Sequence, residues 1–140
     1  MIWKNRPTLE ELNNLNINTM VTHLGIEFTE IGDDYLIAKM PVDHRTIQPA
    51  GLLHGGASVT LAESIGSTAS YIASDDVKNR GIVGIEINAN HLKSVKDGFV
   101  YGTARPFKIG RKLHVWNIEI TNEAGDLVCV SRLTTMILDK

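Results

Sequence analysis

The sequence predicts an α+β fold, one long helix set against an antiparallel sheet of about six strands. Two strand-like runs come first, a charge-poor helical stretch from Gly55 to Ser74 follows, and four more strand-like runs close the chain. That order is an α+β pattern, in which the sheet buries one face against the helix. Turn-forming residues punctuate the later runs, as antiparallel hairpins require.

The elements are read in order. Thr8-Leu9-Glu10-Glu11 has the spacing of a capping box and opens a short helix. A second short helix is expected over Asn18 to Leu24. Ile26 to Ile31 and Tyr35 to Val42 read as strands joined by Gly32-Asp33-Asp34, a hairpin-type turn. An irregular stretch from Asp43 to Leu53 carries Pro49 and Gly51. After the long helix, strands are expected over Gly81 to His91, Gly98 to Phe107, Lys112 to Thr121 and Leu127 to Leu138. They are separated by Lys96-Asp97-Gly98, Lys108-Ile109-Gly110 and Asn122-Glu123-Ala124-Gly125.

At 140 residues the chain is read as one domain, 1–140, long enough to bury a core without staples. A net charge of -2 gives no general basic footprint for nucleic acid. No run approaches the length of about 18 apolar residues that a membrane span needs, and Met1 to Pro7 lacks the apolar core of a signal peptide. The single cysteine, Cys129, lies in an apolar run and reads as a buried small hydrophobe. A cytoplasmic location is expected.

The long helix is the informative segment. Its only charged side chain is Glu63, where a helix of that length at average composition would carry about four. Thr60, Glu63, Ser67, Ser70 and Ser74 recur at spacings of three and four and are expected to form one polar stripe. Leu61, Ile65, Ala69 and Ile72 form a second stripe, expected to pack on the sheet. An ordinary solvated glutamate is the plain alternative. Against it, an exposed face would carry several charges rather than Ser and Thr, and poorly solvated carboxylates concentrate at functional sites.

Just before the helix stands Gln48-Pro49-Ala50-Gly51-Leu52-Leu53-His54-Gly55-Gly56. Glycines at a helix start let a ligand approach bare backbone, and the first helical N–H groups point outward with the positive end of the dipole. Such a place suits an oxyanion, although a tight turn explains the glycines equally well. Gly55 and Glu63 lie eight residues apart, roughly 12 Å along a helix. A carbonyl held at one and attacked from the other needs them about 6 Å apart. Two antiparallel helices related by a two-fold axis can meet that requirement, with two equivalent sites per dimer.

Gly51-Leu52-Leu53-His54-Gly55-Gly56-Ala57 followed by Ala62-Glu63-Ser64 resembles the hotdog-fold acyl-CoA thioesterases of the PaaI type. The likeness extends to Met1-Ile2-Trp3-Lys4, Pro41-Val42-Asp43, Glu86-Ile87-Asn88-Ala89-Asn90-His91 and Ser131-Arg132-Leu133-Thr134-Thr135, and so covers essentially the whole chain. It implies a long helix wrapped by a curved antiparallel sheet, in a homodimer that often pairs into a homotetramer. It implies hydrolysis of an aromatic or broad-range acyl-CoA, nearest to the branch acting on 1,4-dihydroxy-2-naphthoyl-CoA in menaquinone biosynthesis. No cofactor is implied, since coenzyme A is part of the substrate.

By the same resemblance Glu63 is the nucleophile or the general base, and Gly55 N–H polarises the carbonyl. Gln48 and His54 orient the carbonyl or the loop, Ser67 holds the water or the carboxylate, and Ser64 neighbours the site. A bulky aromatic is expected where Ala50 stands, and the smaller residue would widen the acyl pocket. Basic residues gather at His91, Lys93 and Lys96 and again at Arg105, Lys108, Arg111 and Lys112. Basic loops suit a multiply anionic coenzyme A, and solvated β-turns explain them equally. The resemblance assigns Gly84, His91, Leu92, Lys93, Ser94, Lys108, Gly110, Arg111 and Lys112 to substrate binding.

Other chemistries fit less well. His54 and Ser58 are four apart, but there is no nucleophile-elbow motif and no acid partner. The five histidines make no close ligand pair, so no metal is expected. A hotdog hydratase or dehydratase, and a non-catalytic acyl-CoA-binding module, remain the alternatives to the thioesterase.

Overall fold

In the computed structural model, which describes residues 1–140, Thr8 caps the first helix as its sequence requires. Its hydroxyl accepts from Glu11 N at 3.1 Å, and its own N–H donates to the Glu11 carboxylate at 2.8 Å. Two short helices, α1 (Leu9–Leu15) and α2 (Met20–His23), lead into strands β1 (Glu27–Ile31) and β2 (Leu36–Pro41). The long helix α3 (Gly55–Ala73) follows, then β3 (Arg80–His91), β4 (Phe99–Ile109), β5 (Leu113–Asn122) and β6 (Leu127–Asp139). Each lies within two residues of its expected bounds.

All six strands form one antiparallel sheet in the order β1-β2-β4-β5-β6-β3. The helix therefore separates β2 from β3 in sequence, and β3 crosses to the far edge of the sheet to pair only with β6. Leu61, Ile65, Ala69 and Ile72 of α3 are fully buried, as their stripe predicts. They meet the inward side chains of β4, β5 and β6, including Val100, Ala104, Trp116, Ile118 and Leu133. Small residues allow this close approach: a Cβ at Gly102 of β4 would lie 2.5 Å from Ile65 Cδ1.

The expected polar stripe does not run the length of the helix. Thr60, Glu63 and Ser67 are half-buried, but Ser70 and Ser74 are inside the core. A mean spacing of 3.5 residues drifts around a helix of 3.6 per turn, about 20° per heptad, so the last members rotate away from the first. Ser70 serves a structural need there. Its hydroxyl accepts from Trp116 Nε1 and shares a hydrogen bond with Thr135 Oγ1, both at 2.7 Å. The N-terminal strap closes the same end: Trp3 stacks on Trp116 at 6.2 Å between centroids, and Asn5 Nδ2 donates to Ser74 O.

Candidate active site

The loop between β2 and α3 is irregular in trace but densely bonded. Asp43 accepts from the Arg45 backbone and guanidinium, and these bonds hold its carboxyl down at about 2. Thr46 is buried; its hydroxyl donates to Pro41 O at 2.7 Å, and its carbonyl accepts His54 N at 2.8 Å. Leu53 N donates to Val95 O, tying the last loop residues to the segment after β3. The Gln48 side-chain oxygen accepts from Ala50 N, folding the glutamine over its own turn.

His54 is the N-cap of α3. Its Nδ1 accepts from Gly56 N at 2.8 Å, which anchors the ring over the first turn. Its carbonyl accepts from Ala57 N and Ser58 N. The remaining donor of the first turn, Gly55 N–H, makes no intrachain hydrogen bond. It opens on a cavity of about 370 Å³ bounded by Gln48, Gly55, Ser58, His91, Lys93 and Ser94. The lack of a side chain at residue 55 matters here, because a Cβ would lie 2.7 Å from His91 Nε2.

Glu63 lies two turns along, half-buried. The neighbouring hydroxyls do not serve it: Thr60 Oγ1 donates to Gly56 O at 2.9 Å and Ser64 Oγ to Thr60 O at 2.6 Å. Glu63 Oε2 instead lies against Gly84 of β3, where a Cβ would collide with it. Ser67, one turn further, borders a second cavity of about 380 Å³ with Leu12, Leu15, Thr68, Tyr71 and Ile82. The lining residues from α1 were not singled out from sequence, because only the fold brings α1 beside α3.

The sequence-predicted residues thus fall into three groups. Gln48, Gly55 and His91 to Ser94 meet at the start of α3, with His54 as its cap. Glu63, Ser64, Ser67 and Gly84 meet at its middle. Lys108 lies near the end of β4 and Gly110, Arg111 and Lys112 form the β4–β5 turn, where Gly110 and Arg111 border a cavity with Lys4, Asp75 and Arg80 at the helix C-terminus. That turn is roughly 27 Å along α3 from Gly55, so one chain does not bring it to the first group. Lys93 is held by Asp126 at 3.0 Å. Ala50 is exposed at the loop tip and does not border the cavity at Gly55, so the expected widening of an acyl pocket is not seen within one chain. No group of three or more His, Cys, Asp or Glu is placed to hold a metal ion, and no helix is long and apolar enough to cross a membrane.

Comparison with known proteins matches this arrangement to a family. A family model described as "Thioesterase superfamily" matches residues 50–129, which span the capped helix start, α3 and most of the sheet. The 1,4-dihydroxy-2-naphthoyl-CoA hydrolase of Escherichia coli is 55% identical over 138 residues, 99% of this chain and 100% of the relative. The proofreading thioesterase EntH of Cronobacter turicensis is 50% identical, over 99% of each chain. Among solved structures, a Haemophilus influenzae thioesterase superposes with a TM-score of 0.96 at 50% identity, over 99% of this chain and 96% of that one. A glutamine-to-alanine variant of a Pseudomonas aeruginosa thioesterase gives 0.97 at 45% identity, over 100% of both. The chain belongs to the thioesterase superfamily, and is a thioester hydrolase built on the hotdog fold.

Proposed function

We propose that this chain hydrolyses acyl-CoA thioesters, aromatic ones by preference, in sites that two copies complete between them. The observation that carries the reading is a pair of unspent groups on one helix. Gly55 N–H and the Glu63 carboxylate have no partner in their own chain, yet they stand too far apart to act on one carbonyl. A second copy, antiparallel to the first, supplies the missing half.

Strand β3 offers the means of pairing. It is a long edge strand, with Val83 41% and Ile85 50% exposed and one row of backbone groups unpaired. Pairing β3 with its twin about an axis near Ile87 would set the partner's Gly84, and with it the partner's Glu63, beside Asn90 and Gly55. The same operation would carry the partner's β4–β5 turn toward His91 and Lys93. The two basic groups that one chain holds apart would then face one coenzyme A. Further pairing into a tetramer is compatible with this dimer.

In the proposed reaction the thioester oxygen accepts from Gly55 N–H, and the helix dipole favours the charge that develops there. The partner's Glu63 adds to the carbonyl carbon, or takes a proton from a water that does. The C–S bond breaks, and the thiolate takes up a proton that water gives up, becoming the CoA thiol. Where Glu63 has added directly, water then cleaves the resulting mixed anhydride, releasing the free acid and restoring the carboxylate. His54 keeps Gly56 N–H occupied, so Gly55 N–H is the donor left for substrate. Gln48 orients the carbonyl, and Ser67 the attacking water. The cavity beside Ser67, lined by Leu12, Leu15 and Tyr71, takes the acyl group. Its apolar walls suit a ring, and the relative named as a hydrolase of 1,4-dihydroxy-2-naphthoyl-CoA supports a hydroxylated aromatic acid. A cytoplasmic location fits a CoA ester as substrate.

The test is complementation between two inactive variants. Glu63→Ala removes the carboxylate, and Gly55→Pro removes the N–H at the first helical position, where proline's backbone fits and its ring displaces only the tip of the exposed His91 side chain. Each homodimer should lose at least a hundredfold in kcat. Refolded together, half the dimers are mixed and hold one intact site each, so about a quarter of wild-type thiol release should return. No recovery in verified mixed dimers, or near-normal turnover by Glu63→Ala alone, refutes the proposal.

A further inference from the structure

The cavity at the start of α3 is bordered by a nearly buried hydroxyl that makes no hydrogen bond within the chain. It belongs to Ser58, which is 1% exposed. The other fully buried hydroxyls along the helix, Ser70 and Ser74, are occupied, and so are the half-buried Thr60 and Ser64. The half-buried Ser67 and Thr68 beside the second cavity are not. Thr60, Ser64 and Ser74 bond back to the carbonyl four residues earlier, and Ser70 bonds Trp116 and Thr135. A back-bond from Ser58 to His54 O is the ordinary alternative for a serine there, and it is not made. The one fully enclosed side-chain polar atom without a partner is His114 Nδ1, so the Ser58 hydroxyl keeps a small opening, and the cavity it borders is where a ligand would reach it.

We infer that Ser58 Oγ is a substrate-binding group, donating to the first amide carbonyl of the CoA arm. This inference rests on the thioesterase reading above. A helical side chain leans toward the helix N-terminus, so the Ser58 hydroxyl is directed back toward Gly55. Residues 55 and 58 are separated by roughly 4.5 Å along the axis. A thioester whose oxygen sits on Gly55 N–H continues through sulfur and two methylenes before its next polar group, an amide. The cavity has matching walls: Leu52, Leu53 and Val128 are apolar and suit the methylenes. Ser58 is the enclosed donor that the amide then reaches.

The experiment compares three thioesters of one aromatic acid: the CoA ester, the N-acetylcysteamine ester, which keeps the first amide, and the S-ethyl ester, which has none. Ser58→Ala should raise KM about tenfold for the first two, equivalent to about 1.4 kcal/mol, with kcat changed far less. The S-ethyl ester should show no such penalty. Thermal stability of the free protein should be unchanged or higher, because no hydrogen bond is lost on folding. Ser58→Cys, similar in size with a weak donor, should fall between.

Unchanged KM for the amide-bearing esters overturns the inference, as does an equal loss on the S-ethyl ester. A lowered Tm that accounts for the kinetic change does so too. Glu63→Ala, assayed in parallel, separates the two ideas: if it is inactive while Ser58→Ala is normal, only the role of Ser58 fails.

Discussion

Ser70 and Ser58 lie on the same helix and are both enclosed, yet they stand in opposite positions. Ser70 is the acceptor for the Trp116 indole and the partner of Thr135. Removing its hydroxyl leaves the buried Trp116 N–H and the Thr135 hydroxyl unmatched, a cost of about 1–3 kcal/mol. Ser70→Ala should therefore lower stability by that amount in urea unfolding, with Trp116 fluorescence perturbed in the native state. Replacing the donor as well, in Ser70→Ala with Trp116→Phe, should recover part of the loss, because an absent pair is cheaper than a broken one. Equal or additive losses in the double variant would show that the bond is not what Ser70 contributes. Serine spacing alone suggested a single polar stripe. The sequence contains no sign that an indole on β5 would claim one member, since that contact spans 46 residues.

At the scale of elements, legibility follows the range of the forces involved. Helix α3 was readable because burial on nearly every side excludes charge, and that exclusion is written residue by residue between Gly55 and Ser74. Its start was readable because His54 and the two glycines are a local cap. The pairing of β3 was not, because strand order is a tertiary property and nothing in Arg80 to His91 marks an edge. Nor did sequence reveal that the β4–β5 turn lies at the far end of α3 from Gly55. The exposed edge makes its own prediction. Val83 and Ile85 are apolar on a strand with one side unpaired, the kind of surface that a charge blunts. Ile85→Lys should convert the proposed dimer to monomer in sedimentation at micromolar concentration. Thiol release should fall with it, since each site is proposed to span two copies. A monomer that keeps full turnover would confine the site to one chain.

At the scale of the whole molecule, the end of the fold opposite Gly55, beside the β4–β5 turn, is closed around His114. This histidine is 2% exposed, its Nδ1 has no partner, and its ring meets Trp116 edge-on at 6.2 Å. Burial pushes its pKa down, a hydrogen bond with the Gly110 backbone opposes this less strongly, and the nearby Arg80 adds a smaller downward effect. The unfolded chain, with histidine near the ordinary value of about 6.5, therefore binds more protons than the folded one as pH falls through that value. Stability then rises with pH in this window and is lost as the solution becomes acidic. Asp43 acts in the same direction but only as pH falls from the ordinary carboxylate value of about 3.9 toward its own value of about 2, so the two contributions are separable. Between pH 7 and 5 the wild-type Tm should fall, and His114→Phe, which keeps an aromatic ring in the site without a titrating group, should flatten that fall. Trp116 fluorescence should report the wild-type transition directly, because the indole lies against the titrating ring. An identical pH slope in His114→Phe would place the acid sensitivity elsewhere and leave His114 as packing alone.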